Sequence, residues 1–123
     1  MADNLGQDEL FPSATPQEVL HAKSLLTRYR RCKAIVQEMS GMDLDYKQQI
    51  TLKKYETLIQ DIESAVRLIL DPDIRKMIEL RYMKGERHKV VVLRFGLMHP
   101  STVDRKIYEG IASVANSLKL FKY

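Results

Sequence analysis

Apolar residues recur along this chain at alternating three- and four-residue spacing, the period of a helix buried on one side. The first run is Val19, Ala22, Leu25, Leu26, Tyr29, Cys32, Val36 and Met39. Ahead of it stands Thr15-Pro16-Gln17-Glu18. The hydroxyl caps a free backbone N–H, the ring is tolerated at the first helical position, and the glutamate answers the cap. Ser40-Gly41 closes this helix, and Asp43 to Asp45 signals another start. The second run carries Tyr55, Leu58, Ile59, Ile62, Ala65, Val66 and Ile69. Two long amphipathic helices joined by a loop of about five residues should fold back as an antiparallel hairpin.

From Asp71 the runs become shorter. Asp71-Pro72 is a further capped start, followed by Ile74, Met77, Ile78 and Tyr82 at helical spacing and stopped by Gly85. His88 to Phe95 contains Val90-Val91-Val92-Leu93, which on propensity alone suits a buried strand. A lone strand would have no partner elsewhere in the chain, so the segment is read as a helix. Gly96 breaks it, Leu97-Met98-His99-Pro100 forms a turn, and Ser101 with Asp104 makes an S-x-x-D capping arrangement. In the helix that follows, Val103, Ile107, Ile111, Val114 and Leu118 occupy one narrow sector at about 100° per residue.

The side of that last helix away from its apolar sector carries the candidate chemistry. Ser101, Thr102, Arg105, Glu109 and Ala112 lie there, flanked by Lys106 and Tyr108. A helix that reads the major groove needs short early residues, so that it can approach base edges, and hydrogen-bonding groups to read them. Arg105, one turn in, suits a bidentate contact to guanine; Ser101 and Thr102 suit phosphates or a thymine methyl. Lys106, Tyr108 and Glu109 complete the helix's share of the candidate site. His99, at its mouth, and Lys89, in the segment before it, are further DNA-contact candidates. The competing reading is an ordinary solvated helix face. Two short helices and a turn ahead of it favour a helix-turn-helix.

These residues carry a resemblance. Ile74 to Glu86 (IRKMIELRYMKGE), then Phe95 to Leu118 (FGLMHPSTVDRKIYEGIASVANSL), resembles the ArpU/RinA-like family of phage late-transcription regulators. It is similar, more loosely, to the fourth conserved region of bacterial sigma factors. The matching features are Leu80-Arg81-Tyr82 ending the first short helix, the polar loop at Gly85, Ser101-Thr102-Val103, Arg105, and the closing Val114-Ala115-Asn116-Ser117-Leu118. The resemblance implies a DNA-binding transcriptional activator of late genes such as packaging and lysis, working in the nucleoid of a bacterial host. It covers the last third of the chain in detail and the rest in layout. The middle helix departs from it in being Val-rich, and its link to the last helix runs about five residues where a helix-turn-helix uses 3–4.

Charge distribution adds to this picture. Of the net +4, residues 1–70 contribute −1 and residues 71–123 contribute +5. The excess sits on the segment suspected of meeting DNA, where Lys and Arg would displace counterions from phosphates. Arg28, Arg30, Arg31 and Lys33 form no single stripe; Arg28 and Arg31 share a flank that suits DNA backbone, RNA polymerase or plain solvent. The long stripes show about three heptads of a/d spacing each, which serves either a homodimer or a monomeric core.

Other chemistries find little support. The lone Cys32 cannot form an internal disulfide, which suits a reducing cytoplasm. His21, His88 and His99 share no metal-ligand spacing, and no Gly-rich phosphate loop or nucleophile elbow is present. No apolar run approaches the roughly 20 residues of a membrane span. The expectation is therefore an all-α, non-enzymatic protein without metal or cofactor. A tail (1–14) whose Leu10-Phe11 could dock locally precedes a long helical hairpin (15–70) and a three-helix helix-turn-helix unit (71–123). Double-stranded DNA is the expected partner, with host RNA polymerase and a second copy as further candidates. The alternative is a helical assembly or DNA-packaging protein such as a small terminase subunit, in which the hairpin would build a ring.

Overall fold

The computed structural model describes residues 13–121, and the Leu10-Phe11 docking expected above lies outside them. The described residues are all-α. Helix α1 is Pro16–Ser40, α2 Tyr46–Arg67, α3 Pro72–Ile78, α4 His88–Arg94 and α5 Pro100–Leu120. Helix α3 continues without a break into a π-helical turn, Glu79–Met83.

The local chemistry of the helix ends explains most of these boundaries. At α1, Thr15 Oγ1 accepts the Glu18 N–H at 3.2 Å, and Glu18 Oε1 accepts the Thr15 N–H at 2.8 Å. That backbone N–H, first, and the ammonium of Lys119, 3.2 Å away, hold the Glu18 carboxyl below the usual carboxylate range. Helix α2 starts at Asp45, which forms the same reciprocal box with Gln48. Asp71 caps α3 by accepting from Asp73 and Ile74. Gly85 closes the π-turn at φ +75°, a conformation that L side chains rarely adopt, and the Arg30 side chain lies directly over it. The Val-rich segment is helical, with Val91 fully buried and Leu93 77% exposed. Tertiary contact decides this segment against its β-propensity.

The last helix starts one residue earlier than expected, and its cap differs. The N-cap is His99, whose Nδ1 accepts the Ser101 N–H at 3.2 Å, with Pro100 in the first turn. The Ser101–Asp104 capping arrangement does not form. Ser101 already lies inside the helix, and Asp104 turns instead to His88.

The fully buried large side chains are Leu26, Ile62, Val66, Met77, Ile78, Val91, Val103 and Val114, so every helix contributes at least one. They belong to one hydrophobic cluster that runs across the 70/71 boundary, with α5 packed against α1, α2 and α3. All five apolar positions expected of α5 are buried. Tyr29 is buried in the same cluster, and its hydroxyl donates to Glu63. Burial, reinforced by that carboxylate, raises the Tyr29 pKa. Beyond Cys32 in α1 and before Ile59 in α2 no residue is fully buried, although Val36, Tyr55 and Leu58 still pack against the core.

Gly110 marks the tightest crossing. A Cβ there would stand 2.6 Å from Ile78 Cγ1 and 2.9 Å from Ile74 Cγ2. Gly110→Ala should gain roughly 1 kcal/mol of helix propensity and lose about 1–3 kcal/mol to overpacking against a β-branched, fully buried neighbour. The expected outcome in urea unfolding is net destabilisation, partly rescued by Ile78→Val.

Candidate nucleic-acid interface

The exposed half of α5 follows from the helical period. With Val103, Ile107, Ile111 and Val114 turned into the core, residues about half a turn away must face out. Ser101, Arg105, Tyr108 and Glu109 are exposed, and Thr102 and Lys106 are half-buried at the edges. Burial deepens toward the C-terminal end, where Gly110, Ile111, Val114, Ala115, Ser117 and Leu118 are all buried. The first two and a half turns thus present a convex, polar ridge while the rest of the helix anchors it.

The other two candidate residues lie outside that ridge. Lys89 is exposed on α4. His99 is exposed at the helix start, but its Nδ1 is engaged with the Ser101 backbone and lies 2.8 Å from Ser101 Oγ. Its first task is therefore structural. Arg28, Arg30 and Arg31 are exposed on α1, whereas Lys33 is held by Tyr29 Oη at 3.3 Å and Glu63 at 3.6 Å.

Sequence reasoning missed the pair that borders the ridge. His88 Nε2 lies 2.6 Å from Asp104 Oδ1, tying the first turn of α4 to the first turns of α5. Sixteen residues separate them, and no local spacing signals the contact. Both side chains are half exposed, so the pair contributes at most about 1 kcal/mol. The contact occupies one carboxylate oxygen of Asp104, the residue next to Arg105. Behind the pair opens a groove between α1, the π-turn and α5, with Leu20, Lys23, Arg81 and Tyr108 around it. Arg81 stacks at 5.3 Å over the ring of Tyr82, whose burial raises its pKa.

The chemistry available on the ridge is recognition by hydrogen bonding. Arg105 offers a planar fork of donors, Ser101 a hydroxyl, and Glu109 an acceptor suited to the exocyclic amine of cytosine. Among the described residues, no three His, Cys, Asp or Glu side chains gather to hold a metal ion, and no helix is long and apolar enough to cross a membrane. Comparison with family models, curated proteins and solved structures finds no match to this chain.

The cap at His99 makes a testable prediction. His99→Ala should cost about 0.5–2 kcal/mol by leaving the Ser101 N–H without its acceptor, whereas His99→Asn should retain most of it. Chemical denaturation of the three proteins measures the difference.

Proposed function

We propose that this protein is a non-enzymatic, sequence-specific DNA-binding regulator that lays the N-terminal half of α5 in the major groove. The observation that carries the reading is the disposition of α5. Ser101, Arg105 and Glu109 are solvent-facing at the start of a 21-residue helix whose opposite side is buried along its length. The net charge of +5 over residues 71–123 supports it, since a phosphate-rich partner favours such an excess. The resemblance to phage late-transcription regulators supports the finer reading of a phage or prophage activator of packaging and lysis genes. On that reading the protein works in the bacterial cytoplasm, at the nucleoid, with host RNA polymerase as a second partner. In a dimer, two α5 helices would address half-sites about one turn of duplex apart.

Within the site, Arg105 is assigned to base reading and Lys106, at the ridge's edge, to phosphate. Arg105→Ala should therefore weaken binding to the cognate promoter duplex by about 1–3 kcal/mol while changing random duplex little. Lys106→Ala should weaken both alike and lower the salt dependence by about one counterion. Fluorescence anisotropy over a salt series measures each. Equal affinity of the unmodified protein for cognate and random duplex at physiological salt would refute sequence specificity. A closed ring of many copies in light scattering would point to the DNA-packaging alternative.

A further inference from the structure

The groove between α1, the π-turn and α5 holds apolar surface and positive charge that the described residues leave unmatched. Leu20 on α1, 66% exposed, and Tyr108 on α5, 54% exposed, both line it. Lys23 and Arg81 belong to the same lining. The one carboxylate among its described residues, Asp104, is held by His88. Ion pairs among the described residues involve neither Lys23 nor Arg81. The complement of such a surface is a short segment that joins apolar side chains to carboxylates.

The chain carries that segment next to the groove. Asp8-Glu9-Leu10-Phe11 lies outside the described residues and joins them at Ser13 through Pro12. The point of joining is set by α5: the Ala14 N–H donates to Asn116 Oδ1 at 2.6 Å, and Pro16, two residues on, lines the groove. Counted away from Ala14, the order is Phe11, Leu10, Glu9, Asp8, two apolar residues and then two acids. Counted along α1 from Pro16, the groove offers Leu20 and then Lys23. The two orders agree for a chain that turns back along α1. The lengths agree as well. At roughly 3.3–3.6 Å per extended residue, Phe11 reaches about 10 Å from Ala14 and Asp8 about 20 Å. Pro16 to Lys23 spans about 10 Å of helix.

We infer that residues 8–11 are the occupant of this groove, with Leu10 and Phe11 over Leu20 and Tyr108 and the two carboxylates at Lys23 and Arg81. The neighbouring grooves fit the segment less well. In the one beside the α1 cap, Lys119 is already paired with Glu18. The one that holds Lys53 and Lys54 meets α1 only at His21 and Leu25, whereas Pro16 opens this one. On the DNA-binding reading proposed above, the occupant is also a mask. Tyr108 lies about one turn from Arg105, so two carboxylates on this side of α5 oppose the approach of phosphates. The mask rests on that reading; the occupancy does not. A segment docked in about nine-tenths of the molecules lowers the apparent DNA affinity about tenfold.

NMR of the full chain without DNA tests the occupancy. Nuclear Overhauser contacts from the Phe11 ring to Leu20 and Tyr108 are expected. Lys23→Glu should remove most of their intensity, and adding Asp8→Lys and Glu9→Lys to that chain should restore it. Lys23 is exposed, so helicity by circular dichroism should not change. Absence of these contacts in the unmodified chain overturns the proposal. So do contacts from Phe11 to Lys119 or Ile50 in their place, or contacts that Lys23→Glu leaves intact. Fluorescence anisotropy with duplex DNA tests the mask. Leu10→Ala/Phe11→Ala changes no charge and should bind about three- to tenfold more tightly. Unchanged affinity in a chain that shows the contacts overturns the mask. Contacts present with no DNA binding by any of these chains would refute the DNA reading and uphold the occupancy.

Discussion

The burial of one side of α5 against α1, α2 and α3 is the constraint on which the rest depends. A helix of 21 residues cannot be held by its ends alone; it is held by Val103, Ile107, Ile111, Val114 and Leu118, each removed from water. Burying side chains of this kind stabilises by about 1.5–3 kcal/mol apiece before the entropy of ordering is subtracted. Because the period is fixed, the same burial dictates which residues face out. Arg105 and Glu109 are presented by the geometry of their neighbours, and Ser101 is held in addition by His99 Nδ1, 2.8 Å from its hydroxyl. Rigid presentation of a few polar groups is what direct readout of a groove requires.

On the proposed reading, the early turns of α5 meet a second requirement: a surface that reads DNA must not repel it. Asp104 and Glu109 balance Arg105 and Lys106, so the ridge itself is close to neutral. The His88 contact occupies Asp104 from the side; Lys89 and Arg94 are exposed on α4, and Arg81 lines the groove beside Asp104. On the proposed DNA-binding reading, exposed basic side chains would attract phosphate without regard to sequence, while a nearly neutral ridge would discriminate by hydrogen bonds.

Much of the helical layout was legible in the sequence, and the reasons are local. Thr15-Pro16-x-Glu18, Asp45, Asp71-Pro72 and Gly85 act within a turn or two of themselves, so their chemistry can be read without tertiary information. The buried stripes of α1 and α5 were legible for the same reason: a single period governs them. What escaped is what depends on partners distant in the chain. The contact between His88 and Asp104 exists because α4 and α5 fold together. Its existence diverted Asp104 from the cap that Ser101-x-x-Asp104 had suggested, leaving His99 to supply it. The requirement for glycine at position 110 lies in Ile74 and Ile78, more than thirty residues earlier.

On the proposed reading, the exposed start of α5 is the surface that meets DNA. Backbone amide chemical-shift mapping by NMR, on titration with duplex from the protein's own upstream region, addresses it most directly. The largest changes are expected at Ser101, Thr102, Arg105 and Glu109, smaller ones at Lys89, and none along the exposed face of α2. Changes concentrated on α1 or α2, with the amides of α5 unmoved at saturation, would contradict it.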